Sequence, residues 1–368
     1  METIKFPFYA KAALIFIAAY ALVYTLYVGQ NIVVPIVYAT LISVLLNPVV
    51  NFLVNRKVNK IVAISMAVVL VFLITACLVY FVSTQVSMFA DTYPQLKAKT
   101  SATGTQGIKW FSQHFNVKER KVNEWIQTRE DTLFSEAGSM IGHTLLSLGS
   151  TFVVLLLLPV YLFMILYYKS LLLEFIRQLF KKEHHTAVAE VLFKTKVIIQ
   201  SYLRGLLMEA LVVAILNSLG LFILGVEYAI ILGVTGAILN VIPYIGGVIA
   251  IALPMIIAFV TKDSVSSPLL VLLVYLMIQF IDNHFIIPKV VASKVKINAL
   301  VSVIVVLIGG AIWGIPGMFL SIPLTAILKV IFDHIEALKP WGYLLGNIVP
   351  TASKFSFKVK KKVGEVVG

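Results

Sequence analysis

The chain has 368 residues, of which 60% are hydrophobic and only 13% are charged. A soluble domain carries roughly 25% charged residues, so this composition excludes an ordinary soluble protein and indicates a polytopic membrane protein. The net charge of +13 does not indicate nucleic-acid binding, because the cations lie in loops between apolar runs, where they set membrane orientation. The single cysteine, Cys77, excludes an intrachain disulfide and a cysteine-based metal site.

Six apolar runs are long enough to cross a bilayer, and we expect each to be a membrane-spanning helix. They cover residues 12–28, 32–54, 61–82, 141–168, 203–226 and 269–287. Lys and Arg follow the second, fourth and sixth runs and recur in the tail, whereas the short loops 29–31 and 261–267 carry only Lys262. Because cytoplasmic loops are enriched in cations, this pattern predicts a multi-pass protein with both termini in the cytoplasm.

A polar insert at residues 85–140 separates the third and fourth runs. Its apolar residues recur at roughly helical spacing, which predicts amphipathic helices outside the cytoplasm. These residues are Phe111, Phe115, Val122, Trp125 and Ile126. The insert is either an arm that contacts neighbouring subunits or gates access, or a cap that packs on its own spans.

The apolar runs and the charges of the loops also divide the rest of the chain into regions. We expect N-terminal spans at 1–84, a fourth span with a cytoplasmic amphipathic segment at 141–202, a transport core at 203–334 and a basic cytoplasmic tail at 335–368. The predicted fold is therefore an all-α polytopic membrane protein with about six full spans, two broken hairpins and a helical insert.

The two hairpins are apolar stretches at 228–260 and 299–333, each interrupted in its middle by proline and glycine. The interrupting residues are Pro243, Gly246 and Gly247 in the first and Gly314, Pro316 and Gly317 in the second. Each half has about 15 residues, or about 22 Å of helix, which is too short for a hydrocarbon core of ~30 Å. Such breaks are tight turns, and they are also typical of transport sites, because they free backbone groups to face a solute. The loop charges predict that the two hairpins enter the membrane from opposite sides. This holds whether the hairpins are re-entrant, as we expect, or cross fully.

Polar residues inside the apolar runs are candidates for a binding or coupling site, because they are costly in lipid. The candidates are Arg204, Glu209, Asn240, Gln279, Asp282 and Asn283. Gln279 and Asp282 share a helix face, and Asn283 lies near it. Arg204 and Asp282 have similar predicted depths, so we expect them to pair, either as a lock between helices or as part of the site. Asn217 is a further uncharged residue, and a lone asparagine in a span is more often a helix–helix hydrogen bond than a ligand.

Several short motifs in order resemble one known family. They are Ser-Tyr-Leu-Arg-Gly at 201–205, Ile-Pro-Tyr-Ile-Gly-Gly at 242–247, Asp282-Asn283 followed by Pro288, and the glycine-rich stretch 309–317 followed by Pro323. This pattern resembles the AI-2E family of bacterial membrane proteins, the autoinducer-2 exporter-like permeases. Residues 294–300 depart from it, since many relatives have a glycine and a proline there. The resemblance implies a homo-oligomeric, pentameric transporter of the bacterial cytoplasmic (inner) membrane with an elevator-like moving unit.

The predicted function is export of a small polar solute, with the quorum-sensing signal autoinducer-2 or a related molecule implied by the resemblance. Its expected partners are the lipid bilayer, the solute, a coupling proton or sodium ion and other copies of the chain; we expect no nucleic acid, cofactor or metal. A sodium/proton antiporter is the alternative, and it would need Asp282 or Glu209 as its carboxylate. A further alternative is a non-transporting scaffold that recruits partners through residues 85–140. We do not expect an enzyme, because no His-Glu-x-x-His, Gly-x-Ser-x-Gly or phosphate-binding glycine loop occurs.

Overall fold

A computed structural model describes residues 7–115, 157–242, 246–262, 264, 266–292 and 297–347. Within these ranges the chain is almost wholly helical, which confirms the predicted all-α polytopic fold. The helices are α1 (Phe8–Val28), α2 (Gln30–Asn55), α3 (Lys60–Phe115), α4 (Leu157–Tyr167), α5 (Lys169–Gln178), α6 (His185–Ile223), α7 (Ala229–Asn240), α8 (Gly246–Thr261), α9 (Ser266–Ile281), α10 (Ala299–His334) and α11 (Lys339–Leu345). Two π-helical segments, Asp282–Ile286 and Pro288–Ala292, continue α9.

Six described helices are long and apolar enough to cross a membrane. By length and composition they are α1, α2, the first part of α3, α6, α9 with its π-helical extension, and α10, although the backbone of α10 is broken at Gly314. The predicted fourth span differs, because only its part from Leu157 onward is described, as α4, and α5 leaves α4 at an angle of 63°. The predicted spans at 12–28, 32–54, 61–82, 203–226 and 269–287 all overlap described helices, although the helix at 203–226 begins earlier, at His185, and ends at Ile223.

The polar insert begins as a direct continuation of the third span. α3 runs without a break for 56 residues, or about 84 Å, so residues 85–115 extend the membrane helix rather than start a new one. The remainder of the insert, with Val122, Trp125 and Ile126, lies outside the described residues.

One contact ties this extension to α8. The Lys99 ammonium donates hydrogen bonds to the carbonyl oxygens of Val260 (3.1 Å) and Lys262 (2.7 Å). It also lies 5.8 Å from the centre of the Phe259 ring. The last carbonyls of a helix have no partner within the helix and carry partial negative charge, so a cation stabilises them. The extension of α3 therefore holds the C-terminal end of α8.

Replacing Lys99 should loosen that end of α8. We expect Lys99→Met to lower the free energy of unfolding by about 1–2 kcal/mol, the range for a cation at a helix C-terminus and for charged hydrogen bonds. Hydrogen–deuterium exchange of the peptide that contains residues 257–262 should speed up in the variant. Lys182→Met removes an exposed lysine elsewhere and should leave that peptide unchanged. Equal exchange in all three proteins would mean that Lys99 does not hold α8.

The described helices pack in three apolar clusters. The first joins α2, α3 and α4 through residues such as Ala39, Ile64 and Leu162. The second joins α2, the first half of α6 and α10, around Tyr202 and Leu320. The third joins the last part of α6 to α7, α8 and α9; its fully buried members include Leu221, Leu232, Ile257 and Val271. α6 is therefore shared, with α10 packed near one end and the α7–α8 pair near the other.

α10 is a hairpin, although its 36 residues are helical almost throughout. A side chain on Gly317 would collide with the backbone of Gly309, and one on Gly309 would lie 2.5 Å from the Gly317 carbonyl oxygen. Residues eight apart in a straight helix are about 12 Å apart along its axis, so the two arms must fold back on each other. The turn is at Gly314, whose φ of 62° and ψ of −144° are accessible essentially only to glycine. This fold-back agrees with the break predicted at Gly314–Gly317.

The Gly314 turn should not tolerate a side chain. Nothing lies within 4 Å of the position that a Cβ would occupy, so the effect of Gly314→Ala isolates backbone strain, which costs about 1–3 kcal/mol. We expect a lower midpoint of thermal unfolding in detergent. Ile315→Ala, at the neighbouring and 58% exposed position, should change the midpoint far less. If the two variants unfolded at the same temperature, the strained turn would be excluded.

Candidate functional site

The α7–α8 pair, hereafter hairpin 1, brings its break against α9. α7 ends at Asn240 and α8 begins at Gly246. A side chain on Gly246 would collide with the Leu239 carbonyl, so the start of α8 lies directly against the end of α7. A side chain on Gly247 would lie 3.0 Å from Gln279 Oε1 and 3.4 Å from Asn240 Oδ1. The two glycines therefore allow the tip of hairpin 1 to approach Gln279. Pro243 lies outside the described residues.

Asp282 is a deeply buried carboxyl group, with 1% of its surface exposed. Asn240 Nδ2 donates a hydrogen bond to Asp282 Oδ2 at 2.9 Å. The other oxygen, Oδ1, has no hydrogen-bond partner in the described part of the chain. A buried polar atom without a partner costs free energy, so such an oxygen is suited to receive a proton, a cation or a solute hydroxyl.

The backbone at Asp282 is also unusual. The N–H of Ile287 donates to the Asp282 carbonyl, which is five residues earlier, so the helix widens into a π-helical turn. Such turns occur frequently at functional sites. The widening comes directly after Gln279 and Asp282, three residues apart on one face of the helix.

Glu209 on α6 supplies a second carboxyl group. Its exposed fraction is only 6%, and α6 packs against both α7 and α9. Asn240, Gly247, Gln279 and Asp282 thus meet at the tip of hairpin 1, and Glu209 lies on the helix that packs beside them. We call this group the polar cluster; its members are Glu209, Asn240, Gly247, Gln279 and Asp282.

Two predicted residues lie elsewhere. Arg204 is exposed, and its Nη2 donates to Gln200 Oε1 at 3.2 Å. The predicted Arg204–Asp282 ion pair is not formed; Asp282 contacts Asn240 instead. The five-residue offset from Glu209 turns Arg204 by about 140° around α6, away from the cluster. Asn283 is exposed as well, because one residue beyond Asp282 is a rotation of about 100°.

The tip of α10 also lies apart from the polar cluster. Trp313 Nε1 donates to the Leu26 carbonyl at 2.9 Å, and the Tyr38 hydroxyl donates to the Pro316 carbonyl at 3.3 Å. These contacts fix the tip, with Gly314 and Gly317, against α1 and α2. We predicted a site built from both hairpins; among the described residues, hairpin 1 contacts the Gln279–Asp282 segment and the tip of α10 contacts α1 and α2 instead.

Sequence reasoning missed one polar residue on α9. Tyr275 is 4% exposed and Asn217 on α6 is 2% exposed. A side chain on Gly236 would lie 3.1 Å from both the Tyr275 hydroxyl and Asn217 Nδ2, so the three residues converge. Tyr275 is four residues before Gln279 and seven before Asp282, which is the spacing of one helix face. That spacing was the available signal, although an isolated tyrosine in an apolar run is unremarkable.

Comparison with known proteins gives a consistent result. The model of the AI-2E family transporters matches residues 14–337. A Haemophilus influenzae protein named "Putative transport protein" is 26% identical over 325 residues, which are 87% of this chain and 91% of that protein. "Putative permease PerM" of Escherichia coli K12 is 29% identical over 188 residues, 51% of this chain and 53% of its own. "Putative transport protein YrrI" of Bacillus subtilis is 34% identical over 133 residues, and the match spans only 37% of its length.

Proposed function

We propose that this chain, which belongs to the AI-2E transporter family, is a secondary transporter that exports a small polar solute by alternating access. The solute we propose is autoinducer-2 or a related signalling molecule. The observation that carries the proposal is Asp282 Oδ1, a buried carboxylate oxygen beside the tip of a broken hairpin that has no hydrogen-bond partner among the described residues. A protein with no solute to bind has no need for such a group inside the membrane.

The chemistry of the polar cluster suits a hydroxyl-rich, uncharged solute. Asn240 and Gln279 each offer an amide donor and an amide acceptor, and the carboxyls of Asp282 and Glu209 accept from hydroxyls. The Gly246 N–H donates to the Ile242 carbonyl at 3.0 Å, so the break in hairpin 1 offers side chains rather than this backbone group. Breaks in membrane helices lie at solute sites in many transporters.

The packing supports an elevator-like motion. The cluster of α7, α8, α9 and the last part of α6 shares no buried residue with the cluster of α2, α3 and α4. The first would be the moving transport unit and the second part of the scaffold. Lys99 connects the extension of α3 to the moving unit, so its contact with α8 would differ between states.

We further propose that the protein lies in the bacterial inner membrane with both termini in the cytoplasm, as homo-oligomers, with five copies as the candidate number. No residue of α1 is buried within one chain, so lipid and neighbouring copies must cover its apolar surface. The loop cations set the orientation.

A sodium/proton antiporter is the second candidate, favoured by two buried carboxyl groups, Glu209 and Asp282, on helices that pack against each other. Paired ionisable groups inside a membrane protein are typical of proton and cation relays. It needs no organic solute, so the two candidates differ in what crosses the membrane.

Purified protein in liposomes distinguishes them. Labelled autoinducer-2 and a pH-sensitive dye would be followed in parallel, with and without imposed sodium and proton gradients. Protein-dependent autoinducer-2 flux supports export. Proton movement on addition of sodium, with no autoinducer-2 flux, would instead establish the antiporter. If well-folded protein gave neither signal, both candidates would be contradicted.

A further inference from the structure

We propose that Asn217 and Tyr275 form a second, uncharged binding position on the solute path, next to the polar cluster. This inference rests on the proposed transport function and extends it to two residues outside the predicted site. The ligand of the second position would be an uncharged molecule that bears hydroxyl groups.

The two positions are arranged as successive levels of the same three helices. α6 contributes Glu209 to the polar cluster and Asn217 to the second position, about 12 Å further along its axis. α7 contributes Asn240 and Gly236, and α9 contributes Gln279 and Tyr275; each of these pairs is about 6 Å apart. Along the chain, α6 reaches the polar cluster before the second position, whereas α7 and α9 reach the second position first. This order is expected if α6 runs in the opposite direction to α7 and α9. The two positions are thus separated by about 6–12 Å along the helices.

The second position contains polar atoms that lack partners. Neither Asn217 Oδ1 nor the Tyr275 hydroxyl has a hydrogen-bond partner among the described residues. Both side chains are more than nine-tenths buried, and leaving such a group unpaired costs about 1–3 kcal/mol. Gly236 lets α7 pack closely against both side chains, since a Cβ there would lie 3.1 Å from Asn217 Nδ2 and from the Tyr275 hydroxyl. Two buried polar groups without a described partner therefore converge on one glycine, and a solute hydroxyl would supply their missing hydrogen bonds.

The surroundings restrict the chemistry of that molecule. The stretches 210–223, 229–240, 246–261 and 266–278 contain no charged residue. An ion at this level would have no counter-charge from these helices, and burying an uncompensated charge is prohibitively costly. An amide oxygen and a phenol hydroxyl can instead accept from and donate to a solute hydroxyl. The alternative is a resident water that bridges the two side chains and only stabilises the fold.

Cysteine labelling tests whether solute-like molecules reach the second position. The chain has one cysteine, so Cys77→Ala gives a cysteine-free background for Asn217→Cys, Gln279→Cys and Leu221→Cys. The probe is 2-hydroxyethyl methanethiosulfonate, a small uncharged reagent with a hydroxyl, applied to protein in liposomes. Because the thiolate is the reactive form, a thiol in an apolar core reacts slowly. We expect the cysteines at 217 and 279 to react about tenfold faster than the one at 221, which replaces a fully buried leucine of the apolar cluster.

The outcomes separate this inference from the proposed function. Labelling at 279 but not at 217 would overturn the second position and leave the polar cluster intact. Labelling at both sites, in a protein that does not transport autoinducer-2, would contradict the proposed solute but support the second position. Equal, slow labelling at all three sites would contradict both.

Tyr275→Phe distinguishes a binding role of the hydroxyl from a structural role, because the two roles predict different changes in thermal stability and in KM. It removes only the unpaired hydroxyl, so thermal stability should stay the same or rise, whereas the apparent KM for the solute should increase about tenfold, as for a lost hydrogen bond. A bridging structural water predicts the reverse, with lower thermal stability and an unchanged KM. That result would overturn the inference even if Asn217→Cys failed to fold.

Discussion

An Asp282→Asn protein is expected to fold normally and to lose transport by about 100-fold or more, the effect of removing a charged interaction worth about 3 kcal/mol. The amide that replaces the carboxylate can still accept the hydrogen bond from Asn240, so the packing of hairpin 1 on α9 should persist. It cannot take up a proton or balance a cation. Flux and thermal unfolding should be measured on the same purified sample.

The matched control is Asp333→Asn, which makes the same chemical change where α10 ends. Asp333 pairs with Lys329 on its own helix and is partly exposed, so this variant should keep most of its flux. Full transport by a well-folded Asp282→Asn protein would eliminate the coupling role of Asp282. Equal losses in both variants would indicate a general electrostatic effect.

The neighbouring glycines of hairpin 1 should respond very differently to alanine. Gly246→Ala places a methyl group against the Leu239 backbone, which cannot move aside, so we expect destabilisation of about 3 kcal/mol or more. Gly247→Ala meets the ends of the Gln279 and Asn240 side chains at 3.0 and 3.4 Å. These side chains can shift, so the second variant should fold but bind solute poorly.

Expression yield, thermal unfolding and flux together check this contrast. Gly246→Ala should fail in the first two measurements, and Gly247→Ala only in the third. A stable, active Gly246→Ala protein would refute the close contact between α7 and α8. A fully active Gly247→Ala protein would remove the tip of hairpin 1 from the solute site.

Much of the fold was predictable because its determinants are local. Proline and glycine break helices wherever they occur together, so the break at Gly314 follows from the residues alone. The common face of Gln279 and Asp282 likewise follows from helical spacing. The continuation of α3 into the insert was less evident, because a change from apolar to polar surface marks the end of the membrane and not the end of a helix.

The contacts between helices could not be predicted in this way. Depth alone suggested that Arg204 would meet Asp282, but the rotation of α6 in its packed position turns Arg204 outward. The docking of Trp313 on Leu26 depends on how α10 crosses α1, which no local pattern specifies. The convergence of the Tyr275 hydroxyl with Asn217 and Gly236 likewise depends on how α6, α7 and α9 pack.

The central proposal is a secondary transporter that exports a small polar solute, and we propose that its polar cluster couples solute movement to an ion. The most direct test is to add autoinducer-2 to one side of wild-type proteoliposomes, with no imposed gradient, and to record proton and sodium movement. The account predicts ion movement that saturates with solute and is absent with Asp282→Asn protein. Autoinducer-2 flux of equal rate in both proteins, with no movement of either ion, would contradict it.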